Sequence, residues 1–321
     1  MLGHIVEVIV GLGLLIWGAN RFVLGAAATA RNLGVPSLLI GLTIVAFATS
    51  APEVLVSVVA GLRGESDLAV GNAIGSNIAN IGLVLGVVSV IRPIELKSAT
   101  LTREMPALLA VSLLTVSLFL DSYLSRVDGF VLLTSLVVVT FWLTRLSLRS
   151  AANDPMKTEF EAELPVGVRM PVAMLWLAVG LAALLFGAQL LVDGSMEIAR
   201  SLGVSEIVIG ITLVAIGTSL PEFAVTVVSA LKREYDLAIG NIVGSNIFNL
   251  LAVVGIAAAI DPATLHPSVL SLHIFVMVAF TLALFALTYE TEGRGRVKRP
   301  EGLVLATSYF AYIAYIVVQK V

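Results

Sequence analysis

Thr49-Ser50-Ala51-Pro52-Glu53 lies deep inside a long apolar run, and Thr218-Ser219-Leu220-Pro221-Glu222 repeats it inside another. Each is followed by the pattern Gly-Asn-x-x-Gly-Ser-Asn-Ile-x-Asn, from Gly71 to Asn80 and again from Gly240 to Asn249. A carboxylate in hydrocarbon costs about 2.5–3.5 kcal/mol on insertion scales. A chain that places one there twice, beside a proline and two hydroxyls, reads as having built a cation site.

The two segments belong to longer copies. Matched residues stand 169 positions apart, as in Glu53 and Glu222 or Asn80 and Asn249. The match runs without a gap from Gly11 and Gly180 to Gly86 and Gly255, and includes Arg31-x-Leu33-Gly34-Val35 against Arg200-x-Leu202-Gly203-Val204. Composition agrees with a membrane setting. Of 321 residues 58% are apolar and 13% charged, and the mean hydropathy is +1.02. A soluble domain carries about 25% charge. With no cysteine there is no disulfide, thiolate metal site or haem attachment. Three scattered histidines (His4, His266, His273) do not make a metal centre, and no basic patch suits nucleic acid. The N-terminus lacks the basic region and cleavage site of a signal peptide, so the first apolar run is expected to be retained.

Counting runs of about 17–25 apolar residues predicts ten spans, near 5–25, 37–62, 68–90, 104–120, 127–146, 170–194, 206–231, 237–259, 268–288 and 302–319. Ser66-Asp67 and Tyr235-Asp236 are expected to cap the third and eighth, and Arg92-Pro93 and Asp261-Pro262 to stop them. The polar stretch 147–169 is a linker between halves 1–146 and 170–321. The fold class predicted is therefore an all-α integral membrane protein of ten helices, in two repeats of five, with helices 2 and 7 broken. An odd number of spans per copy makes the repeats inverted, a plan that puts the site at their interface near the midplane. With the N-terminus outside, fifteen of the 19 Lys and Arg fall on the cytoplasmic face. That bias puts both termini outside, across a plasma or inner membrane.

Proline at 52 or 221 cannot donate to the carbonyl four residues back. Carbonyls near Ala46 to Thr49 and Ala215 to Thr218 are thus expected to be partly freed. Thr49, Ser50 and Glu53 share a helix face, and the Ser76/Asn80 and Ser245/Asn249 pairs repeat a four-residue spacing. Every such donor is oxygen, which suits a hard cation such as Ca2+. Two glutamates carry −2 when empty, neutralised by one Ca2+ or two Na+, so a loaded site crosses an apolar barrier more readily than an empty one.

The paired segments resemble the two alpha-repeats of the sodium/calcium exchangers, of the calcium/cation antiporter superfamily and its prokaryotic type. The resemblance covers nearly the whole chain. It implies a central Ca2+ held by Glu53 and Glu222 with carbonyls of Thr49 and Thr218. It implies flanking Na+ sites, one from Ala46, Ser50, Ser76 and Glu222, the other from Ala215, Ser219, Ser245 and Glu53. Asn80 and Asn249 would close the middle. It implies too that the first and sixth spans, around Gly11–Gly25 and Gly180–Gly194, slide over a packed remainder. Two positions depart from the family pattern. Ala48 stands where glycine is usual, as Gly217 is in the second copy. Asn249 stands where many members carry an acid, which weighs against proton coupling and potassium dependence.

Other polar residues have plainer readings. Asn77 and Asn246 read equally as interhelical glue or ligands. The Gly71/Gly75, Gly82/Gly86 and Gly240/Gly244 spacings read as seams that bring helices 3 and 8 up to the ligand helices. Asp193 and Glu197 read as interfacial, and His4, Glu7, His266 and His273 as solvated. Asn20 and Gln189 are candidates for contact with the cation path. The functional expectation is secondary antiport of Na+ against Ca2+, with Ca2+/H+ or another divalent–monovalent exchange as the alternative. A channel would need no competing sites. An intramembrane enzyme is excluded because Ser50 and Ser219 have no histidine or lysine base nearby. The transported ions and the bilayer are the expected partners, with no cofactor; the sequence leaves the oligomeric state open, and a monomer suffices.

Overall fold

The computed structural model describes residues 2–96, 101–151, 168–202, 215–267, 269–288 and 295–320. The helices are α1 Leu2–Leu33, α2 Ser37–Thr49, α3 Ala51–Leu62, α4 Ser66–Ile91, α5 Leu101–Leu118, α6 Arg126–Ala151, α7 Met170–Ser201, α8 Ala215–Thr218, α9 Leu220–Leu231, α10 Tyr235–Ile260, α11 Val269–Leu287 and α12 Arg299–Lys320. This is an all-helical, multi-pass membrane protein. Among the described residues seven helices are long and apolar enough to cross a bilayer, and eight if α2 and α3, bent by 45°, count as one. At the fourth and seventh expected spans stand the shorter apolar helices Glu104–Leu118 and Leu220–Leu231. Residues 206–214 of the seventh, residue 268 of the ninth and most of the linker lie outside the described residues.

Helices α1 and α7 are much longer than the runs 5–25 and 170–194. At about 1.5 Å per residue their 32 residues reach about 48 Å, beyond a hydrocarbon core of about 30 Å. Nothing after residue 25 breaks α1 until Gly34, which takes φ +64° and closes the helix by donating to the Arg31 carbonyl at 3.1 Å. The two helices pack side by side. Ideal Cβ atoms on Gly18 and Gly180 would lie 2.5 Å from Leu184 N and 2.4 Å from Phe22 N, so backbone meets backbone along the seam. Arg21, in α1, stacks over Trp17 and Trp176 at 5.8 and 5.4 Å, an interfacial cation–π anchor.

The buried centre is α4 and α10, with α5, α11 and α12 packed around them. Their starts differ from expectation. The cap positions fall on Glu65 and Glu234, and neither makes a side-chain cap bond. Ser66 and Asp67 bind across the bundle instead. Ser66 Oγ donates to the Asp261 carbonyl at 2.7 Å, and Asp67 Oδ1 accepts from His266 N at 3.3 Å. At the matched position in the other half, Arg92 Nε donates to the Tyr235 hydroxyl at 3.1 Å. The start of each helix abuts the end of the other, so its polar side chains are drawn to that neighbour. Arg92-Pro93 and Asp261-Pro262 do end α4 and α10.

Short strands fasten the loops. β1 (Ile94–Leu96) pairs antiparallel with β4 (Gly295–Val297), and β2 (Tyr123–Leu124) with β3 (Ala263–Thr264). The all-α expectation omitted them because two or three residues carry no periodic signal. The glycine seams also differ from expectation. Gly240 and Gly244 do press on α2, with ideal Cβ atoms 2.7 Å from the Leu38 carbonyl and 2.5 Å from Ala46 Cβ. Gly82 and Gly86 press on Tyr309 and Ala306 of α12 instead of a ligand helix, and Gly71 is exposed.

Candidate cation site

Two broken helices carry the site. At Ser50 the backbone leaves helical geometry (φ −81°, ψ 8°), and at Ser219 it does so almost identically (φ −88°, ψ 4°). Each proline then sits in the first turn of the next helix, where a missing N–H has no consequence. Glu53 and Glu222 fall in those same first turns, where the helix dipole favours negative charge. The expected freeing of carbonyls does not extend to Ala46, whose carbonyl accepts from Ser50 N at 3.0 Å and lies 3.3 Å from Thr49 Oγ1. Ala215 and Thr218 are the first and last residues of α8, the turn leading into the Ser219 break.

Glu53 and Glu222 are both 0% exposed and lie close enough to repel one another. Ser50 Oγ donates to Glu222 Oε1 at 3.1 Å, and Ser245 Oγ does so at 3.4 Å. Thr49 Oγ1 is 3.4 Å from Ser245 Oγ. Thr49, Ser50, Ser245 and Glu222 therefore form one ring drawn from both halves. Ser76 adjoins the Glu53 carboxylate. Glu222 thus takes one hydroxyl from its own half, Ser245, and one from the other, Ser50.

Asn80 and Asn249 each open a π-helical stretch, Asn80–Leu85 and Asn249–Val253. Such bulges cluster at functional sites. Asn80 Nδ2 donates to Asn246 Oδ1 at 3.0 Å, and Asn77 Nδ2 to the Asn246 carbonyl at 3.2 Å. Asn77 and Asn246 hold helices together, which is the first of the two readings they admitted. Asn20 and Gln189 are exposed, and Gln189 Nε2 donates to Asp193; neither joins the ring. His273 is half-buried on the Tyr312 hydroxyl at 2.6 Å rather than solvated.

Several buried acceptors have no hydrogen-bond partner: both Glu53 oxygens, Glu222 Oε2, Ser219 Oγ, Asn80 Oδ1 and Asn249 Oδ1. Buried oxygens without donors are costly, and paired carboxylates most of all. The set is wholly oxygen, partly anionic and shielded from water, as a hard cation requires.

One residue that the candidate set omitted also belongs here. Asn241 accepts from Thr49 Oγ1 at 3.1 Å and donates to Thr226 Oγ1 at 3.1 Å and to the Glu222 carbonyl at 3.3 Å. Its signal was present, since Asn241, Ser245 and Asn249 recur every four residues on one face of α10, and Asn72, Ser76 and Asn80 do so on α4.

The sequence profile described as sodium/calcium exchanger protein matches residues 4–145 and 172–318. The chain belongs to the sodium/calcium exchanger family. Among its exchanger relatives, a putative antiporter CaxA of Alkalimonas amylolytica is 44% identical over 97% of this chain and 98% of its own. The sodium/calcium exchanger MaX1 of Methanosarcina acetivorans is 30% identical, covering 95% and 96%. The solved sodium-calcium exchanger NCX_Mj, soaked with zero Na+ and Ca2+, superposes with a TM-score of 0.84 at 31% identity, covering 97% of this chain and 98% of that one. As an exchanger-family member the chain is a membrane antiporter of cations.

Proposed function

We propose that this protein exchanges Na+ for Ca2+ by alternating access to the ring around Glu53 and Glu222. The observation that carries the reading is the state of the carboxylates: both are wholly buried, and three of their four oxygens lack a donor. Ca2+ sits between the two glutamates, helped by the carbonyls of Thr49 and Thr218. Na+ occupies the flanks, lined by Ala46, Ser50 and Ser76 on one side and Ala215, Ser219 and Ser245 on the other, with Asn80 and Asn249 closing the middle. Ten spans form two inverted repeats, 1–146 and 170–321, with both termini outside the cell membrane. Arg92 at one end of the bundle core and Asp261 at the matched other end fit that orientation, since the cationic residue falls on the cytoplasmic face.

Unequal packing of matched residues supports alternating access. Gly240 and Asn241 are buried, whereas their counterparts Gly71 and Asn72 are exposed and half-buried. One flank of the ring is closed and the other is less so. Exchange follows when α1 and α7, interlocked along their glycine seam, shift over the packed remainder.

The test is uptake into liposomes containing purified protein. Ca2+ entry should require an outward Na+ gradient and persist after the pH gradient is collapsed. Entry that follows pH and ignores Na+ would replace this reading with Ca2+/H+ exchange, and uncoupled flux near the diffusion rate would replace it with a channel. Ser50→Ala is expected to raise the Na+ concentration for half-maximal exchange by roughly tenfold, because it removes the hydroxyl bonded to Glu222. Half-maximal Ca2+ should move less, and an unchanged Na+ response would put the flanking assignment in error.

A further inference from the structure

We propose that Asn241 and its matched residue Asn72 are alternating latches that position the two broken helices, each made in one conformation and released in the other. The proposal deepens the antiport reading and rests on it. Asn241 projects from α10, is 0% exposed, and bonds to both broken helices at once. Its Oδ1 accepts from Thr49 at the end of α2. Its Nδ2 donates to the Glu222 carbonyl and to Thr226 Oγ1 on α9. The same flank is drawn shut by Gly240 and Gly244, which let α10 touch the α2 backbone.

Asn72 stands in an identical local motif, Gly-Asn-x-x-Gly-Ser-Asn, on α4. Its Nδ2 is buried and has no partner. The residues matched to the partners of Asn241 are Thr218, Glu53 and Ser57. Ser57 donates to the Val253 carbonyl at 2.6 Å, whereas its match Thr226 accepts from Asn241. The same Gly-Asn-x-x-Gly-Ser-Asn motif in two bonding states, with a hydroxyl at both 57 and 226, points to a difference of conformation. In the opposite conformation Asn241 releases Thr49 and Thr226, and Asn72 takes up Thr218, Ser57 and the Glu53 carbonyl. A bond set made in only one state moves the balance between states by its own free energy.

Full-length protein in lipid nanodiscs, free of Na+ and Ca2+, can be followed by amide hydrogen exchange. Segments 38–46 and 237–244 report the closed flank, and 69–76 the other. Asn241→Ala is expected to speed exchange in the first two about tenfold, from the loss of roughly one to two net hydrogen bonds, and to slow it in 69–76. Asn72→Ala is expected to do the reverse. Thr226→Val keeps the side-chain shape, removes one acceptor, and should shift the segments as Asn241→Ala does but less, so the idea stays testable if Asn241→Ala fails to fold. Shifts of the same sign in the two asparagine variants, or none, would overturn the latch. If liposomes show no Na+-driven Ca2+ uptake but the opposite shifts remain, the ion assignment falls and the latch stands.

Discussion

Glu53→Gln and Glu222→Gln should each abolish Na+-driven Ca2+ uptake, lowering it by at least about a hundredfold, while the protein still inserts and purifies. The substitution keeps volume and shape but removes one of two charges in a site sealed from water. Ca2+ between one carboxylate and one amide leaves a net positive charge in low dielectric. An uncompensated buried charge costs several kcal/mol, and about 1.4 kcal/mol is already a factor of ten. Glu222→Gln keeps an acceptor for Ser50 and Ser245, so any loss reports charge and not the ring's hydrogen bonds. The measurement is radioactive Ca2+ uptake under an imposed Na+ gradient, with protein quantified in each liposome batch. Retained uptake in both variants would remove these carboxylates from the mechanism.

Gly180→Ala should be the most damaging single-methyl change away from the site. Its Cβ would lie 2.4 Å from Phe22 N and 2.8 Å from Phe22 Cα. Main chain cannot rotate away as a side chain can, so α1 and α7 must separate along the seam. Overpacking of this kind costs about 1–3 kcal/mol, and more against backbone. A thermal melt in detergent should fall by several degrees, and exchange should fall with it because the interlocked pair is the proposed moving element. Gly13→Ala is the control. It lies in α1, the other helix of the pair, has no neighbour within 4 Å, and should leave the melt unchanged or slightly raised, since alanine favours helix over glycine by about 1 kcal/mol. Equal melting of the two variants would show that the seam is not tightly packed.

Much of the candidate site was legible because its residues announce themselves chemically. A glutamate between hydroxyls and a proline has no cheap reason to lie in hydrocarbon, and finding it twice at one spacing removes chance. The break at Ser50 was legible too, though its form was not. Proline suggested a kinked helix with bare carbonyls; the chain instead stops and restarts, and Ala46 stays bonded. Asn241 was overlooked because an amide beside glycines resembles packing glue, and its three partners come from positions 49, 222 and 226 on two other helices. Asn20 and Gln189 stand apart from the ring. They match across the copies and are polar, and both are exposed on α1 and α7.

Composition, the repeat and the paired acids were enough to read a membrane cation antiporter, because burying charge in lipid is so unfavourable that few purposes justify it. Which helices touch, and which of two nearly identical flanks is shut, required the folded chain. In lipid nearly every helix face is apolar, so periodicity no longer marks the face that meets a partner. Copies that read alike, such as Gly71-Asn72 and Gly240-Asn241, also give no hint of which one is packed away. That asymmetry arises from how the two halves settle against each other, and from nothing within either half alone.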